Sequence, residues 1–495
     1  MNSKAIVASG HKYVSNAAIE IIKDGGNAFD AAVAAGFASS ICEPTLTSLG
    51  GGGFLLARTN LGEEVLFDFF TNTPGKGVKK GFNPYFFPVT VRFPGSEQIF
   101  NVGHGSVAVP GTLKGLLHVH KRLGRLPLSK ILEPAIYLCE NGVELNWHQA
   151  YFLKLLEPIM TLTEEGKRLF KPRGELLKEG DKLFNKDLAL FLKRLSKDQG
   201  EEFYRGDIAK RISWDMEENG GLVTQEDLSS YEVIERRPLE FFYRDKRILT
   251  NPPPSLGGGL ICLSLEIFEN FDCNCRWLSP KHIDALSSCL FKVESLREKG
   301  ILLPKGLESE VSNRFVSVKG TTHLSICDKE GNVASMTTSN GEGSGYIVPG
   351  TGIMLNNMMG EDDLHPQGFH CQPPGIRVSS MMSPSLVVSE DGSVELVVGS
   401  GGSKRIRAAI FQVLTHVVDF GVDIKNAVYA PRLFWDGNVF QVEPGLSPDI
   451  IDMLKNRWKV NLWEQKDIYF GGVHGLIPNK EGAGDPRRGG FSISF

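Results

Sequence analysis

A mixed α+β fold built in layers is predicted by three features of the sequence. Helical clusters alternate with strands joined by short hairpins. The glycines, 55 in 495 residues, gather at the junctions between elements, where tight turns and close backbone approach are needed. At 41% hydrophobic and 23% charged, the composition is that of an ordinary globular protein with a substantial core. A formal charge of −4 with no basic run argues against a nucleic-acid surface. No signal-peptide pattern and no long apolar run is read, so no membrane association is expected. The eight cysteines are scattered, and Cys273-Asn274-Cys275 has neither zinc-ribbon nor redox spacing. Reduced thiols, a cytoplasmic location and no metal or organic cofactor are the expectation.

Taken in order, Ser15 is read as the cap of a helix through Lys23, with Ala17, Ala18, Ile21 and Ile22 on one face and Gly25-Gly26 ending it. Asn27 caps a second helix, 28–41, so uniformly small and apolar that it must be buried on most sides. A glycine run, Gly50 to Gly53, enters a strand, and a second strand follows over 64–70. From Gly111 to Asp215 the pattern is helical, with starts at Thr112, Ser129 and Asp187 and a fourth segment from Phe203. Short strands at 239–244 and 247–250 lead through Pro252-Pro253-Pro254 to a helix at 260–268. The charged, weakly patterned stretch 298–319 reads as a linker. A strand-like run at 352–357, strands at 382–388 and 394–398, and a helix at 405–420 complete the reading.

The chemistry centres on Gly320-Thr321-Thr322-His323-Leu324-Ser325. Residues alternate along this strand, Asp328 to Asn332 makes a turn, and 333–339 runs back. With Asp328 facing Asn332, Thr321 falls opposite Ser339. If the chain is cut before Thr321, the new α-amine, of pKa about 7.7–8.0, can act as base for the threonine hydroxyl. A plain surface hairpin is the competing reading. Gly399-Ser400-Gly401-Gly402-Ser403 is a strand–glycine loop–helix unit whose N–H groups could hold an oxyanion or a phosphate. It lacks the Gly-Lys-Ser/Thr ending of a P-loop. Ser379-Ser380 could bind a carboxylate, and Glu361-Asp362-Asp363 a cationic group.

Taken together, these stretches resemble the γ-glutamyltranspeptidase family of N-terminal-nucleophile hydrolases. The matching residues are Gly25 to Ala32, Glu43-Pro44 with Gly50 to Phe54, Val109-Pro110-Gly111, Gly220 to Tyr231, Pro252 to Ser255 with Gly257-Gly258, Thr321-Thr322-His323, Leu355-Asn356-Asn357, Ser379-Ser380-Met381 and Gly399 to Ser403. The resemblance implies a four-layer αββα sandwich and a precursor that cuts itself at Gly320-Thr321, giving a large subunit 1–320 and a small subunit 321–495. It implies Thr321 as nucleophile, Ser339 as the hydroxyl supporting the new amine, and Gly401 and Gly402 as the oxyanion hole. Substrate contacts would be Asn340, Asp362, Asp363, Ser379 and Ser380, with a small γ-glutamyl amide as substrate. The sequence also departs from the family. Phe70 stands where the family has a carboxylate-clamping arginine, and Met358 where it has Gln or Glu. Two residues are inserted near Gly360-Glu361. Arg92, Arg377 and Lys404 are candidates to replace the clamp. The alternatives are an amidohydrolase for another small acidic or acylated amide, a catalytically silent binding protein, and a phosphate binder using Gly399 to Ser403.

Overall fold

The computed structural model describes residues 4–79, 81–93, 96–272, 274–307, 320–361 and 368–495, with the side chains of 92–97 outside that description. Two antiparallel sheets dominate. The first has the strand order Phe491–Ser494, Ile6–Ser9, Thr322–Cys327, Val333–Ser339, Gly52–Arg58, Glu64–Phe69, Ile234–Arg236. The second runs Glu481–Ala483, Gly472–Ile477, Val394–Gly401, Ser385–Val388, Lys246–Thr250, Leu239–Tyr243.

The helix Ala28–Cys42 packs on the first sheet through its small residues. At Gly36 there is no room for a Cβ, because Leu116 and Met336 close over the backbone. Asn27 and Asp30 form a capping box at its start, as expected from Asn27. The other sheet carries the helices Gly257–Glu269 and Arg405–Phe420, the latter with the bounds read from sequence. Between the sheets the contacts are partly polar. Ser325 Oγ donates to the His474 carbonyl at 3.0 Å, and Ser335 Oγ to the Val398 carbonyl at 3.2 Å.

This arrangement explains the alternation in the Thr321 strand. Leu324 and Ile326 join Ala334 and Met336 in the core beneath helix Ala28–Cys42. His323 and Ser325, on the opposite face with Thr321, point at the second sheet. His323 is held by Thr337 Oγ1 at 2.8 Å and Ser325 Oγ at 3.0 Å. Burial, helped by His474, pulls its pKa well below the ordinary value, so it is a neutral packing residue.

Three sequence expectations need correction. The first helix is Lys12–Lys23 and is capped by His11, whose Nδ1 accepts from Tyr13 N at 3.2 Å. Ser15 lies inside that helix because its hydroxyl is taken by Ser9 Oγ at 2.7 Å. The run 352–357 contributes only the two-residue strand Ile353–Met354, since Asn356 turns away to bind Gly50 and Ala108 carbonyls. Most of the expected linker lies outside the described residues, and Glu298 ends a helix, Pro280–Glu298, that the pattern did not reveal.

Candidate active site

The hairpin has the register read from its turn. Thr322 pairs Thr338, Cys327 pairs Val333, and Asp328 N donates to the Asn332 carbonyl at 3.0 Å. Thr321 is fully buried, and its Oγ1 lies 3.3 Å from Ser339 Oγ. Ser339 Oγ donates in turn to the Gly320 carbonyl and accepts from Gly341 N at 3.1 Å. One hydroxyl therefore bridges the Thr321 side chain and the carbonyl of the preceding peptide bond. Such a donor polarises that carbonyl toward attack by Thr321 Oγ1. Replacing Ser339 by Ala is expected to slow both chain cleavage and substrate turnover about ten- to a hundredfold while the fold persists. Unchanged rates, with cleavage followed on gels and turnover by amine release, would disprove the pairing.

Gly401 lies against the Thr321 main chain, with Gly402 next to it. A Cβ at Gly401 would run into the Thr321 carbonyl, and one at Gly402 into Gly471. Gly402 also has φ +123°, a conformation open to glycine alone. Among the described residues, no acceptor takes the Gly402 N–H. The pair thus keeps side chains away from the Thr321 main chain. This also weakens the phosphate reading, because Gly399 packs on the His323 ring and Gly401 on Thr321.

Two charged residues to which the sequence reading gave no role complete the surroundings of Thr321. Arg488 Nη1 donates to the Thr321 carbonyl at 2.9 Å. Burial, with the charge of Arg405 nearby, pulls its pKa down to about 10, so it is still a cation at neutral pH. Glu43 Oε1 accepts from Thr322 Oγ1 at 2.9 Å. Burial pushes its carboxyl up to about 7, against the pull of that hydrogen bond and of Arg488. Glu43 stands beside Pro44 in a stretch singled out from sequence; Arg488 carried no local signal.

The expected substrate residues divide. Asn340 Oδ1 and Ser379 Oγ are shut off from water and have no partner among the described residues. Ser380 is occupied locally: its Oγ accepts from Met382 N at 3.1 Å, and its carbonyl from Leu256 N at 2.8 Å. Asp362 and Asp363 lie outside the described residues.

Phe70 does not face a cavity. It is fully buried and stacks on Phe54 at 5.5 Å. Its carbonyl accepts from Tyr231 Oη at 2.7 Å and from Arg377. Arg377 is correspondingly committed. It also donates to Tyr231 Oη at 2.8 Å and the Glu232 carbonyl at 2.8 Å, and pairs with Asp68 at 3.2 Å. Its guanidinium is a structural clasp, so it does not replace the clamp. The Arg92 side chain lies outside the described residues. Lys404 is half-buried at the start of helix Arg405–Phe420. Phe70→Arg would add a second buried guanidinium beside Arg377. It is expected to cost about 3–5 kcal/mol of stability, seen as a lowered thermal midpoint, and not to raise activity. Rescue of γ-glutamyl turnover by this variant at unchanged stability would contradict that packing.

A cavity of about 50 Å³ opens beside Gly320. Its walls are mostly apolar and aromatic, and Arg405, Arg488, Glu342 and Asp467 supply its charges. Among the described residues no cluster of His, Cys, Asp and Glu is arranged to hold a metal ion. Nor is any helix of the described residues long and apolar enough to cross a membrane.

Comparison with known proteins agrees along almost the whole chain. A family model described as gamma-glutamyltranspeptidase matches residues 14–290 and 305–495. A glutathione hydrolase proenzyme of Escherichia coli strain K12 is 31% identical over 537 aligned positions, covering 98% of this chain and 90% of the relative. An acylase, ACY 1 proenzyme, of Pseudomonas sp. strain V22 is 29% identical, covering 91% of this chain and 86% of the relative. Among solved structures, a cephalosporin acylase from Bacillus halodurans superposes with a TM-score of 0.83 at 25% identity, covering 99% of this chain and 96% of that one.

Proposed function

Because the chain belongs to the γ-glutamyltranspeptidase family, we propose that it is a self-processing enzyme that cleaves γ-glutamyl-type amides and passes the acyl group to water or an amine. In processing, Thr321 Oγ1 attacks the Gly320 carbonyl. The peptide C–N bond breaks to leave an ester and a free Thr321 amine, and water hydrolyses the ester. The products are a large subunit, 1–320, and a small subunit, 321–495, which together form a four-layer αββα sandwich. In turnover the freed amine takes the hydroxyl proton as Thr321 attacks the substrate amide. The Gly401-Gly402 backbone receives the oxyanion, and the amine leaves with that proton. Water or a second amine then opens the acyl-enzyme. The chemistry uses no cofactor. Asn340, Ser379 and Ser380, with Asp362 and Asp363, would hold the acyl part.

The observation that carries this reading is the row Gly320 carbonyl–Ser339 Oγ–Thr321 Oγ1, on a residue whose main-chain carbonyl abuts Gly401. The printed names of the relatives, glutathione hydrolase proenzyme and acylase proenzyme, fit a cleaved precursor and amide chemistry. The seven cysteines among the described residues are all free, which suits a reducing, cytoplasmic setting. The buried Phe70 favours one second reading, hydrolysis of another small acidic or acylated amide on the same machinery. Purified protein should separate into two bands, the smaller beginning Thr-Thr-His, and should release amine from a panel of chromogenic amides. An active preparation that stays a single intact chain would refute self-processing. Comparing γ-glutamyl with other acyl anilides decides between the two substrate readings.

A further inference from the structure

The strand that Thr321 leads into is open on one side at that end. Asp328 N bonds the Asn332 carbonyl, and the hairpin register runs unbroken from there to Thr322 and Thr338. In an antiparallel ladder, bonded pairs alternate with unbonded ones. The bonded pairs are therefore Ile326 with Ala334, Leu324 with Met336 and Thr322 with Thr338. It follows that the N–H and C=O of Thr321 turn away from the Ser339 strand, toward the other neighbour. That neighbour, Ile6–Ser9, stops opposite Leu324. Beyond it the chain enters the helix Lys12–Lys23, and no strand of the described residues reaches the Thr321 edge.

Arg488 fills the gap. Strand Phe491–Ser494 borders Ile6–Ser9 and pairs Phe491 with Ser9, so the short turn Pro486–Arg488 just before it passes the point where Ile6–Ser9 ends. The Arg488 stem lies on Gly472, where a Cβ would stand 2.2 Å from its Cδ. Its Nη1 donates to the Thr321 carbonyl at 2.9 Å. A buried, charged donor thus replaces the bond that a neighbouring strand would have given, and such bonds are stronger than neutral ones.

In the uncut chain Thr321 is also held by its peptide bond to Gly320. Cutting removes that hold and makes Thr321 a chain end, and chain ends are poorly ordered unless tied down. Besides the bond to Thr322, the side-chain ties then left among the described residues are Ser339 on its hydroxyl and Arg488 on its carbonyl.

We propose that Arg488 is a positioning residue for turnover: it pins the main chain of Thr321 once the Gly320 bond is cut, and so sets the direction of Oγ1 and of the freed amine. It matters little for the cut itself, because the intact peptide bond already orients Thr321. The inference rests on the reading of Thr321 as nucleophile, and the wild-type controls separate the two.

The test compares the two reactions in Arg488→Met and Arg488→Lys. Cutting is timed on gels in freshly translated chain. Turnover is measured as kcat and KM of the cut enzyme on the chromogenic amide that the wild type hydrolyses. Arg488→Met should cut at close to the wild-type rate and lose about ten- to a hundredfold in kcat. KM should stay near its wild-type value, because Arg488 holds the enzyme's own carbonyl. Arg488→Lys keeps a cationic donor and should fall between the two in kcat while cutting normally. It carries the same test if the methionine variant fails to fold. Equal losses in cutting and turnover, as a general loosening of the fold would give, overturn the proposal, and so does a raised KM with unchanged kcat. An active wild type with an indifferent Arg488→Met removes this inference alone. A wild-type chain that neither cuts nor turns over removes the nucleophile reading and this inference with it.

Discussion

Thr321→Ala is expected to leave the chain uncut and to abolish turnover, a loss on the order of 10⁴-fold or more. Among the described residues its side chain is the hydroxyl placed against Ser339 Oγ, on the residue whose main chain meets Gly401. Neighbouring hydroxyls cannot stand in for it. Thr322 faces the other way and is bound to Glu43, and Thr337 is bound to His323. Thr321→Ser keeps an oxygen at the same place and should retain part of both activities, cutting more slowly. Gel analysis with N-terminal sequencing reads the first activity, and amine release the second. Full activity in the alanine variant would move the nucleophile elsewhere in the molecule.

Gly401→Ala is the other change with a large expected effect, about 10²–10³-fold in kcat. Its methyl group would press on the Thr321 carbonyl and stand 3.1 Å from Arg488 Nη1. Neither neighbour can yield easily, because the carbonyl is main chain and Arg488 is buried and bonded to it. Thr321 must therefore shift relative to the Gly401-Gly402 backbone. Since the strand pairing of Gly401 with Gly472 is main-chain in origin, the fold should survive. A thermal midpoint lowered by the clash, which costs about 1–3 kcal/mol, together with depressed kcat is the expected combination. Normal kcat would exclude these glycines from the reacting centre.

The parts of the site legible in the sequence were those built from neighbouring residues. The Thr321–Ser339 pairing followed from a turn and an alternation within one hairpin, and the Gly401-Gly402 loop from a strand running into a helix. Arg488, Phe152 and Trp463 carried no signal, because they come to the cavity beside Gly320 from elements far apart in the chain. The helix Pro280–Glu298 escaped notice for a different reason. Its buried face mixes Ile283, Leu286 and Val293 with His282, Ser287 and Glu294, so no clean apolar stripe exists. Glu294 can be buried there because Arg297 and Arg407 pair with it from two sides. The cap of the first helix was misplaced because histidine is a rare cap, while Ser15 has the usual chemistry in the wrong turn.

The order of strands in the first sheet has a topological consequence. Thr322–Cys327 lies between Ile6–Ser9 and Val333–Ser339, and Val333–Ser339 in turn borders Gly52–Arg58. A cut at Gly320 therefore leaves two chains zipped through one another, which cannot come apart without unfolding. At the sheet's other side, Ala5 and Phe495 exchange both main-chain hydrogen bonds, at 3.0 and 2.8 Å. Ala5 and Phe495 thus lie side by side, and a cut beside Thr321 would open the chain at another place in the same sheet. A circular permutant that joins Phe495 to Ala5 by a short linker and begins at Thr321 would carry its catalytic amine from the outset. It would bypass maturation and behave as one covalent chain.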